Sequence, residues 1–281
     1  MYWRDQTWIG FDLETTGKYP LTAEICEIGA VKWRDGKVVD EFSQLVKPTR
    51  PMGEEVIKIH NITNEMVEDA PSIDQIIGGF REFIGEDLLV AHHAPFDMGF
   101  LSVEFEKYDL GLPKRPVVCS SLFSRNNLSG VENYRLQTLV SHFSLEGGQA
   151  HRATDDARAC LEVMLLLLEQ NKNSDQLDVD QIYKLQGRKL NWFEYSIAYL
   201  RQFEATMAIV DSFEQEKSLD MVYKGGSRPG KTRTVFPEGL VRNPNGDFLV
   251  AKDKLEDEQP KRFYLSRIQE ASVGSQDNPK H

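Results

Sequence analysis

Cysteine is scarce in this chain: Cys26, Cys119 and Cys160 are the only three, odd in number and far apart. That argues against a disulfide framework and against a cysteine metal site, and it suits a reducing compartment, so a cytoplasmic location is expected. Long apolar runs are missing too. The longest, residues 163–168, has six members, well short of the ~18 that a membrane helix needs. No membrane association is expected. The opening MYWRDQTWIG lacks the basic segment and apolar stretch of a signal peptide, and no internal repeat is present. Positive charge is short only locally. Residues 1–170 hold 16 Lys and Arg against 27 Asp and Glu, whereas residues 171–281 hold 17 of each. An acidic domain binds a phosphodiester backbone poorly, because phosphate neutralisation takes Lys and Arg. If residues 1–170 act on phosphodiesters, cations must bridge carboxylate and phosphate.

What is present is ordinary for a globular protein. The 281 residues are 40% hydrophobic and 27% charged, enough for two compact units. Strands are expected at residues 7–13, 24–33 and 37–46, with Arg34-Asp35-Gly36 as the turn between the last two. Ser72-Ile73-Asp74-Gln75 opens a helix with a capping box, and Ile73, Ile76, Ile77, Phe80 and Phe83 form its apolar stripe. A short buried strand at 88–91, a helix at 96–108, strand residues at 117–118 and a helix at 136–143 follow. Thr154 caps a last helix running to about Glu169. A meander followed by alternating helix and strand predicts an α/β unit, a mixed sheet flanked by helices. Residues 171–179 are polar and read as a linker. From about Ser218 short strands alternate with Gly225-Gly226, Pro229-Gly230 and Asn243-Pro244-Asn245-Gly246 turns. The division expected is 1–171 for the first domain, 172–204 for a linker and helical segment, 205–272 for a β-rich domain and 273–281 for a flexible tail.

Carboxylates carry the chemistry. Asp12 and Glu14 are two apart in a strand, so both leave the same face of the sheet. Side by side they repel unless a cation joins them, and hard oxygen ligands suit Mg²⁺ or Mn²⁺. A solvated strand end would show the same spacing. Asp97 stands at the first turn of a helix that follows the apolar strand and His92-His93-Ala94-Pro95-Phe96, where a carboxylate favoured by the helix dipole is the plain alternative. In His151-Arg152-Ala153-Thr154-Asp155-Asp156, only one of the two neighbouring aspartates can face a site. Asp156 shares its face with Cys160 and Val163, which assigns Asp156 to the site and Asp155 to solvent or a cap. A lone His151 before a helix would also serve as a structural residue.

Phe11-Asp12-Leu13-Glu14-Thr15-Thr16-Gly17, His92–Asp97 and His151–Asp156 together resemble the three motifs of the DEDDh 3′→5′ exonucleases, in family order over residues 7–170. That family includes the proofreading subunit of bacterial DNA polymerase III, ribonuclease T and oligoribonuclease. The resemblance implies a ribonuclease H-like five-stranded mixed sheet, two divalent ions held by Asp12, Glu14, Asp97 and Asp156, and His151 as the proton acceptor. It also implies that Thr15, Thr16, His60, Asn61, Ile62, His92 and Phe96 contact the terminal nucleotide at the 3′ end of DNA or RNA, with nucleoside 5′-monophosphates as products. Arg152, four positions before Asp156, stands where the related DEDDy branch carries tyrosine. Two positions depart from the pattern. His93 replaces an asparagine, and Cys119-Ser120 replaces Asp-Thr; neither is among the four carboxylates, but local hydrogen bonding and substrate preference are put in doubt.

Residues from about 207 to 268 resemble a WYL domain, which implies a small Sm/SH3-like β-barrel that senses nucleotides or single-stranded nucleic acid. The namesake Trp-Tyr-Leu is here Asp247-Phe248-Leu249. The loop between Tyr223 and Pro237 carries Lys224, Arg228, Lys231 and Arg233 without an acid, which suits a phosphate backbone as well as an ordinary solvated hairpin. Arg262 and Arg267 are ligand contacts by the resemblance; pairing with Glu256, Asp257 or Glu258 is the alternative. The function expected is a 3′→5′ exonuclease with a nucleic-acid or nucleotide-sensing domain. A regulatory binding protein with a vestigial nuclease, or a polymerase-associated proofreading subunit, are the alternatives.

Overall fold

The computed structural model describes residues 1–279 apart from Ser227 and Pro244; Pro244 of the expected 243–246 turn, and Lys280 and His281 of the expected tail, lie outside the described residues. The first sheet contains β1 (Trp8–Thr15), β2 (Ile25–Arg34), β3 (Lys37–Leu45), β4 (Leu88–Ala91) and β5 (Val118–Cys119), in the order β3-β2-β1-β4-β5. β1, β2 and β3 form an antiparallel meander, and β4 and β5 join in parallel. Asp35 and Gly36 take φ of 51° and 81°, the left-handed pair that a tight hairpin requires. The helices are α1 (Glu54–His60), α2 (Asn64–Val67), α3 (Ile73–Ile84), α4 (Pro95–Lys107), α5 (Ser120–Asn127), α6 (Leu136–Phe143), α7 (Ala153–Glu169) and α8 (Val179–Gln186). The Ser72–Gln75 capping box is formed.

Strand alternation divides the core into two layers. Ile9, Phe11 and Leu13 face the layer containing Phe80 of α3 and Leu101 and Phe105 of α4. Trp8 and Val31 face the other, with Cys160, Val163, Met164 and Leu167 of α7. Glycine lets α7 lie directly on the sheet: a Cβ at Gly10 would overlap the Ala157 carbonyl, and one at Gly29 the Ala153 backbone. Gly29→Ala should therefore destabilise the protein by about 1–3 kcal/mol, read as a lower urea midpoint at unchanged m. An unchanged midpoint would show that α7 can shift freely.

Three expectations need correction. The helix of residues 153–169 starts at Ala153 with Arg152 as its cap residue, and Thr154 Oγ1 instead donates to Ser43 Oγ at 2.8 Å. Much of the expected linker belongs to the first unit. Leu177, Ile182 and Tyr183 enter the α7 layer, and Gln186 Oε1 accepts from the Cys119 amide at 2.6 Å. Trp192 stacks 6.2 Å from Phe11 and lies tilted 5.9 Å from Phe105 in the opposite layer. Residues 273–277 of the expected tail are strand, with Val273 opposite Leu219 and Asp277 opposite Lys217.

Beyond α9 (Ile197–Leu200) and α10 (Glu204–Glu214) come β6 (Lys217–Tyr223), β7 (Thr232–Val241), β8 (Phe248–Lys252), β9 (Lys261–Tyr264) and β10 (Ile268–Asp277), antiparallel throughout in the order β10-β6-β7-β8-β9. Among the described residues no ladder joins β9 to β10, so the expected barrel is not closed by hydrogen bonds. The loop between β1 and β2 rests on this second unit. Leu21 packs on its core, Thr22 Oγ1 donates to the Glu238 carbonyl at 3.1 Å, and the Tyr19 ring lies where a Cβ on Gly239 would be. Among the described residues no helix is long and apolar enough to cross a membrane.

Candidate active site

β1 brings the first two carboxylates to the edge of α7. On the α7 face of the strand, Trp8 is core and Gly10 touches Ala157; the next two positions on that face are Asp12 and Glu14. Asp156 lies in the first turn of α7 and is 7% exposed, so the choice of Asp156 over Asp155 agrees with its burial. Asp155 turns outward and accepts from the Gln149 amide at 2.8 Å. Glu14, His151 and Asp156 each offer one ligand atom, all within 4.8 Å of one another. Asp97, 2% exposed in the first turn of α4, accepts from the Leu13 amide at 3.2 Å, between Asp12 and Glu14 in sequence. The four carboxylates and the imidazole thus come from β1, α4 and the start of α7.

These acids are crowded and dry. Burial pushes Asp12 well above the usual carboxylate range, and Asp97, Glu14 and Asp156 push it further. Glu14 is pushed up to about 8 by burial, then by Asp156 and Glu27, against the pull of Arg152. Burial likewise raises Asp97 and Asp156. The donor set (carboxylate oxygens and one imidazole) suits hard divalent cations. A cation held between acids that raise one another in this way would relieve their repulsion.

Two partners not read from the sequence fix the third motif. Glu27 stands opposite Glu14 on β2 and is 1% exposed. It accepts from Arg152 Nη2 at 2.6 Å, Arg152 Nε at 3.1 Å and the Ala153 amide at 2.9 Å. Gln137 of α6 donates to Asp156 Oδ1 at 3.2 Å, while the His151 amide donates to Oδ2 at 2.8 Å. His151 itself is exposed, with φ of 62°. The register of Glu14 with Glu27 was a usable signal; nothing local marks Gln137.

The expected nucleotide contacts divide. Asn61 is exposed at φ of 58°, and Phe96 is half-buried against Phe100. Thr15 Oγ1 donates to the Gly17 carbonyl, and Thr16 Oγ1 accepts from the Glu24 amide, so both hydroxyls brace their own loop. His60 and Ile62 are buried, the His60 Nδ1 accepting from the Ile62 amide at 3.0 Å. His92 lies 2.8 Å from Ser120 Oγ and 3.0 Å from the Tyr134 carbonyl, and burial lowers it to about 4. The His60 and His92 rings are thus tied to neighbouring groups of the protein, and the Ile62 side chain is buried. Both departures from the motif pattern fit here. Ser120 receives His92, and His93 is exposed at φ of 65°, a left-handed conformation to which histidine, like asparagine, is better suited than most residues.

On the second unit, Lys224, Arg228 and Lys231 are exposed, as are Arg262 and Arg267. Arg233 is not: it is 7% exposed, its Nη2 donates to the Arg228 carbonyl, and its guanidinium lies 5.7 Å from the Phe263 ring centre. Among the described residues no carboxylate pairs with Arg262 or Arg267, so pairing with Glu256, Asp257 or Glu258 does not occur.

Residues 9–164 match the family described as Exonuclease (RNase_T), and residues 204–273 match the WYL domain. The PolC-type DNA polymerase III of Bacillus subtilis is 35% identical over 209 residues, 74% of this chain and 14% of that protein. Its counterpart in Caldanaerobacter subterraneus is 33% identical over 269 residues, 94% of this chain and 18% of that protein. The chain therefore spans less than a fifth of the length of these curated relatives. Exonuclease X in complex with 5′-overhanging duplex DNA superimposes with a TM-score of 0.50 at 27% identity, over 64% of this chain and 99% of that one. The nuclease domain of 3′hExo, a DEDDh family member bound to rAMP, gives 0.52 at 16% identity over 61% and 96%. An E. coli exonuclease I complex with single-stranded DNA gives 0.53 at 17% over 87% and 54%. The last two likenesses concern the fold.

Proposed function

Because the chain belongs to the Exonuclease (RNase_T) family, we propose that it removes nucleotides one at a time from the 3′ end of a DNA or RNA strand, releasing nucleoside 5′-monophosphates. The observation that carries this reading is the meeting of Glu14, His151 and Asp156 within 4.8 Å, with Asp12 near enough for the Asp97, Glu14 and Asp156 charges to act on it and Asp97 bonded to the Leu13 amide between Asp12 and Glu14. When bound, two Mg²⁺ or Mn²⁺ ions would supply charge neutralisation and an activated water for in-line displacement. Asp12, Glu14, Asp97 and Asp156 would hold them. The His151 imidazole accepts the proton of the attacking water, and it must be neutral to do so. Gln137 and the His151 amide orient the Asp156 carboxylate through its two oxygens. Thr15 and Thr16 shape the loop at the terminal nucleotide, and the exposed Asn61 and half-buried Phe96 are proposed to contact that nucleotide.

The test is incubation of end-labelled single-stranded DNA and RNA with Mg²⁺ or Mn²⁺. A ladder of products shortened from the 3′ end is expected; intact strands with either metal would overturn the reading. Comparing rates on matched DNA and RNA settles the preferred strand. The PolC-type relatives favour a second reading, proofreading beside a polymerase, for which a mispaired 3′ terminus should be removed faster than a paired one. Lys224, Arg228, Lys231, Arg262 and Arg267 are proposed to give the second domain a nucleic-acid or nucleotide ligand.

A further inference from the structure

Four flat groups touch in succession on the second unit, three on β8 and β9 and one on the turn after β9. The Arg262 guanidinium is 5.3 Å from the centre of the Phe248 ring. Phe248 meets Tyr264 at 5.8 Å, and the Arg267 guanidinium is 5.6 Å from the Tyr264 ring. Arg262, Tyr264 and Arg267 are exposed, Tyr264 by 41%. Cation–aromatic pairs are common on protein surfaces, about one per 70–80 residues, so one alone would mean little. Here two cations flank one aromatic pair, and neither has a carboxylate partner among the described residues. Beside them Lys224 donates its amide to the Arg267 carbonyl at 2.8 Å, adding an exposed positive side chain. Unpaired guanidinium groups for phosphates and ring faces for bases are the two elements of a single-strand platform.

The row begins at the boundary with the nuclease. Gly239 pairs with Val250, and Val250 with Arg262; Tyr19 covers Gly239. The Arg262 charge also acts on the Tyr19 hydroxyl, opposing the burial and the Glu238 carboxylate that push it up. Tyr19 belongs to the loop that follows β1, which ends at Thr15, and the five residues from Glu14 to Tyr19 reach at most ~18 Å. Arg262 is two strand spacings, about 10 Å, beyond Gly239, so a strand whose 3′ end sits at Glu14 has at most about 35 Å to cover before it meets Arg262.

From this geometry we infer that Arg262, Phe248, Tyr264 and Arg267 carry the single-stranded stretch on the 5′ side of the nucleotide being removed. The second domain is then an extension of the nuclease's substrate site and not a receptor for a separate signal. This rests on the exonuclease reading of the carboxylate site.

The full chain is assayed on single strands from about 3 to about 16 nucleotides long, spanning the usual site size of such platforms. In the parent protein kcat/KM should climb with length and then level off. In the double variant Tyr264→Ala/Arg267→Ala the ratio of long-strand to short-strand kcat/KM should fall at least about fivefold, the effect of losing one stacked base or more. A ratio equal to the parent's overturns the inference. So does stimulation of short-strand cleavage by a separate, 3′-blocked oligonucleotide, which would make the face a signal receptor. Absence of cleavage at every length sinks the nuclease reading itself, and the inference with it.

Discussion

Asp12→Asn should abolish 3′-terminal hydrolysis, by at least about 10²–10³-fold, and at the same time make the metal-free protein more stable. Both effects come from the same repulsion. The Asp12 carboxyl is raised by burial and by Asp97, Glu14 and Asp156, so its ionised form is costly in the folded state. The native protein then binds more protons than the unfolded chain, and stability falls as pH rises from the ordinary carboxylate range through the folded value. For Glu14 that window runs from 4.5 to about 8. A neutral amide of the same shape relieves Asp12 of its share. The thermal midpoint of the variant in EDTA at neutral pH should exceed the parent's by several degrees, since about 1 kcal/mol shifts a domain of this size by roughly 2–4 °C. Added Mg²⁺ or Mn²⁺ should reverse the order, because bound cations stabilise the parent more. A variant that melts lower in EDTA would mean that these acids are solvated and do not repel.

The second large effect concerns Glu27 and Arg152. Arg152→Ala should cost about 3–5 kcal/mol, because it strips a carboxylate that is 1% exposed of its charged partner. Glu27→Gln should cost less, since the Arg152 side chain is 32% exposed and can reach water. The double variant should cost less than the sum of the two. Urea unfolding of the four proteins measures all three quantities. Equal single-variant costs that simply add would show that the pair is an ordinary surface contact. Activity should fall with Arg152→Ala as well, because Arg152 lies between His151 and Ala153, where α7 begins.

Some of this was legible in the sequence and some was not, for physical reasons. Strand alternation put Asp12 and Glu14 on one face, and helical periodicity chose Asp156 over Asp155; both are properties of a single element. The Ser72–Gln75 capping box and the Asp35-Gly36 turn are local in the same sense. Glu27, Gln137 and the Tyr19–Gly239 contact depend on which elements become neighbours, which no local pattern encodes. The polar run at 171–179 suggested a free linker, and Leu177, Ile182 and Tyr183 are spaced too briefly to announce a buried helix. His60 and His92 looked like substrate contacts because their motifs lie at the site, while their ring nitrogens are held by Ile62, Ser120 and Tyr134. Asp247-Phe248-Leu249 stood only as a departure from the Trp-Tyr-Leu pattern, and that Phe248 lies beside Tyr264 and Arg262 depends on strand pairing.

The seating of Trp192 between Phe11 and Phe105 bears on how this protein is made. A ribosome delivers the chain from its amino end, and domains generally fold as units during synthesis. By the time Glu169 has emerged every catalytic group is outside, but the pocket beneath β1 still lacks its indole. Aromatic surface from Phe11 and Phe105 therefore stays open to solvent and to other nascent chains until more than twenty further residues have followed.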